Sequence, residues 1–362
     1  MSLDQRLEKY CLTMATSGRE DAMIRAMAED FGAYTSKIDI DSFGNVMARF
    51  DAASPTEDTL MVFAHTDQLG MVVTKVEESG FIRVVRLGGV PERVLPGSVV
   101  KILAHNGSVV TGVMGTPPHH LTPESMKYTV PTIDKAYIDV GAQSAADVAQ
   151  LGIQVGDHVA YEPRFERLAN NRVTGTSIDD RGGCAVLMGV AEYLAAHPAD
   201  VNVVLVATVQ EEFNLRGAML AAEKIKPVAS FSLDLVAAGD TPEMGRPNGV
   251  EVGKGPVMGL YSFHGRGTLN GVIPHPGLVA MVEETTDALK SPLQKHATVG
   301  LLTDASYVQL VNGGTPSLDL CWPTRYTHTG VEMCSLDDLE GLLTLVTGIV
   351  SRFPRDWDGS RH

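Results

Sequence analysis

The chain has 362 residues, of which 44% are hydrophobic and 20% are charged, and its formal net charge is −15. These values are ordinary for a globular protein large enough for two domains, and the negative charge opposes binding to nucleic acid or to an anionic membrane. No apolar run in the sequence approaches the roughly 18 residues that a membrane-spanning helix needs.

The first residues and the cysteines predict a cytoplasmic protein. The segment MSLDQRLEKYCLTM contains acidic residues and has no apolar core of the signal-peptide type. The four cysteines, Cys11, Cys184, Cys321 and Cys334, are scattered and form no C-x-x-C pair. This usage is typical of reduced, buried thiols rather than of a disulfide framework.

The N-terminal part predicts two helices followed by a buried strand. The helices are expected within residues 3–34, where Ser17 followed by Glu20 resembles a capping box. The run LMVFAH at 60–65 is apolar and ends in a polar residue, as buried strands of α/β proteins often do.

Residues from about 70 to 165 have a different character. Short β-type runs such as FIRVVRL and SVVKILA alternate with Gly, Pro and Asn-Gly turns, and helical periodicity is scarce. We interpret residues 70–165 as a small β-barrel or sandwich inserted into an α/β domain. That domain would then be discontinuous and comprise residues 1–69 and 166–362.

The remaining segments return to strands that alternate with helices. Apolar runs at 201–209 and 229–235, and a weaker one at 316–320, predict strands. Helical periodicity follows Asp180 and again follows Ser335. This alternation predicts an α/β fold with a mixed sheet sandwiched by helices.

Five side chains typical of metal ligands lie at strand ends or turns: His65, Asp179, Glu212, Asp234 and His328. Two imidazoles and three carboxylates are a suitable set for two divalent ions that share a bridging carboxylate, and zinc and cobalt both accept these donors. Asp179 is the best bridging candidate because it is short and anchored at a helix start. The set therefore predicts metal-assisted hydrolysis.

Two further carboxylates accompany this set. Glu211 precedes Glu212, and either of the two could be the ligand while the other acts as the general base. Neighbouring residues of a strand point in opposite directions, so both reach one site only if the strand ends or twists there. Asp67 could accept the imidazole N–H of His65 as an orienting group, or it could serve a turn.

The motifs AHTDQLG, SIDDRGG, TVQEEFNLRGA, LDLVAAGDTP, LLTDAS and PTRYTHTGVE resemble those of the dodecameric tetrahedral (TET) aminopeptidases, in the same order and at similar spacing. This family includes deblocking and glutamyl aminopeptidases and members once called endoglucanase M. The resemblance runs from about residue 5 to residue 353. Gln68, Phe213-Asn214 and Leu301-Leu302 depart from the family pattern and leave the preferred N-terminal residue open.

The resemblance implies a zinc-peptidase type of fold and a role for each candidate residue. His65, Asp179 and Asp234 would hold one ion, and Asp179, Glu212 and His328 would hold the other. Glu211 would be the general base and Asp67 the group that orients His65. The inserted segment would be a PDZ-like barrel for dimer contacts, within a hollow particle of twelve subunits.

The predicted function is a di-metal aminopeptidase that removes N-terminal residues from short peptides, with a metal-bridging hydroxide as nucleophile. Three other functions remain open from the sequence. They are a related di-metal carboxypeptidase or amide deacylase, a glycosidase that uses Glu211 or Glu212, and a non-catalytic assembly protein on the same scaffold.

Overall fold

We describe the fold from a computed structural model, which defines residues 1–245, 249–264, 269 and 271–361. The other residues of the predicted segment 166–362 lie outside this part. The helices, numbered in chain order, are α1 Leu3–Cys11, α2 Asp21–Gly32, α3 Ala145–Gln150, α4 Ile178–Ala196, α5 Gly217–Ile225, α6 Pro276–Leu289, α7 Ala305–Val308 and α8 Leu336–Arg352. Within these described ranges, none of the helices combines the length and the apolar character that crossing a bilayer requires.

The strands are also numbered in chain order. The first three belong to a central sheet: β1 Ile38–Ile40, β2 Val46–Phe50 and β3 Thr59–His65. The next six form a barrel: β4 Gly70–Val76, β5 Ile82–Leu87, β6 Val99–Leu103, β7 Val109–Met114, β8 Ile138–Asp139 and β9 His158–Tyr161. The others are β10 Phe165–Leu168, β11 Arg172–Gly175, β12 Asn202–Thr208, β13 Ala229–Ala237, β14 Val257–Phe263, β15 Gly271–Val272, β16 Gln294–Val299, β17 Ser317–Thr324 and β18 Glu332–Ser335.

The central sheet is mixed, as predicted. Its strand order is β1-β2-β12-β3-β13-β17-β14-β15, and β16 pairs with β14. The four middle strands β12, β3, β13 and β17 run parallel, whereas β2 and β14 pair antiparallel to them. The parallel strands therefore bring their carboxyl ends to one edge of the sheet, where ligand sites of open α/β sheets usually lie.

Helices cover both faces of this sheet. As a result, alternate residues of β3 belong to two separate apolar clusters. Leu60 and Val62 pack with residues of α1, α2, α4, α6 and α8. Met61 and Phe63 pack on the opposite face with residues of α5 and α7. All seven residues of β3 are buried, which explains why its sequence reads as a continuous apolar run. The predicted α/β sandwich is confirmed.

The strands of residues 70–161 close into a barrel in the order β4-β5-β8-β7-β6-β9. Their buried side chains form an apolar cluster separate from those of the central sheet. Four short 3-10 helices lie within this stretch, at Glu92–Val94, His119–Leu121, Glu124–Met126 and Ile133–Lys135. A separate small sheet, in the order β10-β11-β18, joins two strands that follow the barrel in the sequence to one strand just before α8.

The two helices expected within residues 3–34 are present, but the predicted capping box at Ser17 is wrong. Helix α2 begins at Asp21, with Glu20 rather than Ser17 as the preceding residue. The Ser17 hydroxyl instead donates a hydrogen bond of 2.6 Å to Asp67 Oδ2, at the edge of the sheet. A partner fifty residues away competes with the local amide, and the local pattern does not reveal it.

Candidate metal centre

The five predicted metal donors come together at the carboxyl edge of the central sheet. His65 is the last residue of β3, and Asp179 lies at the start of α4. Asp234 lies within β13 rather than at its end, because β13 continues beside β17 to Ala237. The last paired residues of β13 and β3 are Ser232 and Phe63, and this register brings Asp234 level with His65 at the end of β3.

These donors form two groups of three that share Asp179. One donor atom from each of His65, Asp179 and Asp234 lies within 4.8 Å of the other two, and the same holds for Asp179, Glu212 and His328. The two carboxylate oxygens of Asp179 face different groups. Oδ1 lies 3.1 Å from His65 Nε2, and Oδ2 lies 3.4 Å from His328 Nε2.

The backbone after β12 explains how adjacent glutamates reach one site. Strand β12 ends at Thr208, and Gln210 has a positive φ of 59°, so the alternating strand geometry is interrupted before Glu211. Glu211 Oε2 then lies 3.9 Å from His65 Nε2, and Glu212 Oε2 lies 3.9 Å from His328 Nε2. Of the two, it is Glu212 that joins a group of three donors.

Asp67 contacts both His65 and the backbone of the two glutamates. Its Oδ1 lies 3.4 Å from His65 Nδ1 and accepts a hydrogen bond of 2.9 Å from the backbone N–H of Glu211. Its Oδ2 accepts hydrogen bonds from the Glu212 N–H at 3.1 Å and from the Ser17 hydroxyl. One fully buried carboxylate thus contacts a candidate ligand and fixes the backbone of both glutamates.

The electrostatics show that the cluster carries an excess of negative charge. Burial, with repulsion from nearby carboxylates, raises the pKa of Glu211 and of Asp234 well above the ordinary range, and raises that of Glu212 to about 8. Burial lowers the pKa of His328, but the carboxylates of Asp179 and Glu212 outweigh it and raise that pKa to about 10. Each shift reduces the net negative charge of the cluster.

The chain is similar to known proteins over most of its length. The profile of the M42 glutamyl aminopeptidase family matches residues 44–345. The chain belongs to this family. It is 36% identical over 335 residues to SgcX of Escherichia coli K12, whose name marks it as a candidate aminopeptidase, with 92% of this chain and 90% of SgcX covered.

A curated relative and two solved structures extend the similarity. The lysyl aminopeptidase of Pyrococcus furiosus is 30% identical over 357 residues, which cover 97% of this chain and 98% of the relative. The TET1 peptidase of Pyrococcus horikoshii, which can assemble into a tetrahedron or a large octahedral shell, superposes with a TM-score of 0.85 at 27% identity and covers 97% and 100% of the two chains. The structure of PhTET1-12s, with the same TM-score, identity and coverage, contains a dodecamer.

Membership in the M42 family makes the chain a metal-dependent aminopeptidase, a hydrolase of peptide bonds. The chemistry of these residues also fits a bound metal, independently of the family match. Glu212 Oε1 is buried without a hydrogen-bond partner among the described residues. The nearby buried cation Arg181 donates its hydrogen bonds to the carbonyl oxygens of Thr13 and Thr66 and to Gln68. Divalent ions would satisfy the unpaired oxygen and offset the excess negative charge.

Two carboxylates to which the sequence analysis assigned no role hold the backbone of the candidate metal donors. Glu332 is buried, and it accepts hydrogen bonds from the backbone N–H of Asp179 at 3.0 Å and from that of His328 at 2.7 Å. Asp180 accepts the N–H of His65 at 2.8 Å. Both lie inside the quoted motifs, but their partners are backbone amides, which carry no residue-specific signal in a sequence.

The centre opens into a cavity of about 230 Å³. Asp179, Glu211, Asp234 and His328 line it together with apolar side chains that include Leu301 and Leu302. The cavity therefore places space for a substrate directly against the candidate metal donors.

Proposed function

We propose that this chain is a di-metal aminopeptidase that releases N-terminal residues from short peptides. His65, Asp179 and Asp234 would hold one ion, and Asp179, Glu212 and His328 would hold the second. The observation that carries this proposal is the pair of donor groups sharing Asp179, whose two oxygens face different histidines. Zinc or cobalt suits a set of imidazole and carboxylate donors.

Glu211 is proposed as the general base. It lines the substrate cavity and belongs to neither group of three donors, so its carboxylate remains available for proton transfer. Its Oε atoms would accept a proton from the attacking water and return it to the leaving amine. The bound ions would supply the activation of that water and the stabilisation of charge on the carbonyl oxygen.

Asp67 is proposed as the group that positions His65 and the two glutamates. Its contact with His65 Nδ1 leaves Nε2 directed at Asp179, and its bonds to the amides of Glu211 and Glu212 hold both side chains at the centre. Such outer partners of metal-binding histidines usually fix the ring orientation.

We further propose the domain division expected from the sequence. Residues 1–69 and 166–362 would form the peptidase domain, and 70–165 an inserted, PDZ-like domain for assembly. Exposed apolar side chains on the barrel support a contact role: Val85, Val99, Val109 and Val113 are all exposed. Since PhTET1-12s forms a dodecamer, we propose that dimers of this chain assemble into a twelve-subunit particle.

We also propose a cytoplasmic location, which the four buried free cysteines support. The preferred N-terminal residue does not carry over from the comparisons. The family description names glutamyl and the Pyrococcus furiosus relative is named lysyl, and these two side chains have opposite charge.

The test compares aminoacyl p-nitroanilides that have a free or an acetylated α-amine. We expect hydrolysis of the free-amine substrates only, loss of activity after chelation, and recovery on addition of zinc or cobalt. Activity in a verified metal-free preparation, or preference for the acetylated substrates, would contradict the proposal.

A further inference from the structure

Beside the metal donors and Glu211, the substrate cavity contains a buried carboxyl group and a buried imidazole that the proposed chemistry does not use. They are Asp319 on β17 and His296 on β16. Asp319 is only 4% exposed and His296 only 7%. Burying a carboxylate costs free energy unless a partner compensates it, so this placement calls for an explanation.

The strand register places both residues in one row with a glycine between them. Gly259 of β14 pairs with His296 on one side. On the other side, the pairs Val257 with Cys321 and Met258 with Leu320 bring Gly259 opposite Asp319. A Cβ added at Gly259 would lie 3.0 Å from Asp319 Cβ, so the missing side chain leaves a slot between the two polar groups.

The row formed by Asp319, Gly259 and His296 lies closer to the amino end of β17 than the metal donors do. Asp234 is paired with Cys321, and Asp319 precedes Cys321 by two residues on the same face of β17. Two residues of a strand correspond to roughly 6.5 Å. A substrate residue whose backbone lies at the metal donors would therefore direct its side chain toward Asp319.

The hydrogen bonds available within the protein leave this row incompletely satisfied. Asp319 Oδ1 accepts a hydrogen bond of 2.8 Å from the Thr303 hydroxyl. His296 Nε2 has no hydrogen-bond partner in the described part of the chain. Among the described residues that line the cavity, none is a lysine or an arginine.

The charge of the row is negative under ordinary assay conditions. Burial raises the pKa of Asp319 to about 6, which leaves the carboxylate ionised at pH 8. Burial lowers the pKa of His296, which keeps its imidazole neutral and able to accept a hydrogen bond. The apolar side chains of Val236, Leu301 and Leu302 line the same cavity and suit an aliphatic stem.

We propose that this row selects substrates with an N-terminal lysine or arginine, whose aliphatic stem fills the cavity and whose cationic end donates hydrogen bonds to Asp319 and His296. The proposal rests on the aminopeptidase function above and adds a substrate class to it. Asp319 is a specificity residue and takes no part in the chemical step.

The first test measures kcat/KM for lysyl, arginyl, leucyl and glutamyl p-nitroanilides at pH 8 with the zinc-loaded wild-type protein. We expect the lysyl and arginyl substrates to be preferred. Preference for the leucyl or the glutamyl substrate would overturn the inference and leave the proposed function intact. Failure to cleave any of the four in a zinc-replete protein would refute the proposed function itself.

The second test compares Asp319→Asn with a matched control. The asparagine keeps the shape and can still accept from Thr303, but it removes the charge. We expect the ratio of lysyl to leucyl kcat/KM to fall by about tenfold to a hundredfold, with the leucyl value retained. Asp338→Asn is the control, because Asp338 is equally buried but accepts hydrogen bonds from Gly253 and Gly255, away from the cavity. An unchanged ratio in folded Asp319→Asn, or an equal fall in the control, would overturn the proposal.

A third variant tests the slot independently of charge. Gly259→Ala places a methyl group between Asp319 and His296, in contact with Asp319 Cβ. We expect hydrolysis of the lysyl substrate to fall at least tenfold while the alanyl substrate, whose side chain does not reach the row, is retained. An equal loss for both substrates, with an unchanged circular-dichroism spectrum and thermal transition, would contradict the placement of the row.

Discussion

The edge of the central sheet and the interior of the barrel bury different kinds of side chain. In the barrel, buried residues such as Val100, Ile102 and Val159 are apolar and fully enclosed. At the sheet edge, buried residues such as His65, Asp179 and Glu211 are ionisable and face one another. Apolar burial stabilises a fold by about 25 cal/mol per Å², whereas buried like charges cost free energy until a cation offsets them.

The contrast indicates that one region is built for stability and the other for binding. Substitutions in the barrel interior should change the free energy of unfolding and leave the chemistry alone. Substitutions at the sheet edge should change metal content or turnover.

Asp179→Asn should abolish activity and reduce the bound metal from two ions toward none, because this carboxylate belongs to both groups of donors. His328→Ala, which removes a donor from one group only, should lose one ion and retain the other. Elemental analysis of the purified variants would measure the stoichiometry. Loss of a single ion from Asp179→Asn would argue against a shared ligand.

Glu211→Gln should lower kcat by about a hundredfold to ten-thousandfold, the usual contribution of a general base, while both ions remain bound. The neighbouring Glu212→Gln is the matched comparison and should instead weaken metal binding, because Glu212 belongs to a donor group. Steady-state kinetics and metal analysis on the same samples separate the two effects. If the metal leaves in Glu211→Gln and stays in Glu212→Gln, the two roles are exchanged.

Glu332→Gln should weaken metal affinity by about tenfold to a hundredfold, as is typical when an outer partner of a metal ligand is altered. The carboxylate accepts the amides of both Asp179 and His328, so its charge supports two ligand positions without touching substrate. Competition with a metallochromic chelator measures the affinity. An unchanged affinity together with a lower melting temperature would show that Glu332 supports only the fold.

Ile102→Val, in the barrel, should lower the free energy of unfolding by about 0.5–1.5 kcal/mol, since it removes one methylene from a fully buried site. The metal content and kcat should match those of the wild type. Urea denaturation, read alongside the kinetics, would test this. A fall in kcat at constant metal content would show that the two regions are coupled.

The sequence predicted the parts of the fold that depend on local pattern. Continuous apolar runs such as β3 and β12 predicted buried strands, and the polar residues after them predicted donor side chains that the structure brings together at one edge of the sheet. The interruption after β12 that turns both glutamates toward one site depends on a positive φ at Gln210, a residue without the usual turn signature.

Contacts between residues that are distant in the sequence could not be predicted from local patterns. The row of Asp319, Gly259 and His296 comes from three strands distant in sequence, and its members become neighbours only through the register of β14 with its two partners. Ser17 and Glu332 likewise act through bonds to distant groups. A periodic pattern reports which face of an element is buried, but it does not report which element packs there.

Anomalous X-ray diffraction at the zinc edge, on crystals of the zinc-loaded protein, would show how many ions bind and whether Asp179 lies between them. We expect two peaks about 3.5–4 Å apart, with Asp179 between them and His65 and His328 on opposite ions. A single peak, or two peaks that do not share Asp179, would contradict this expectation.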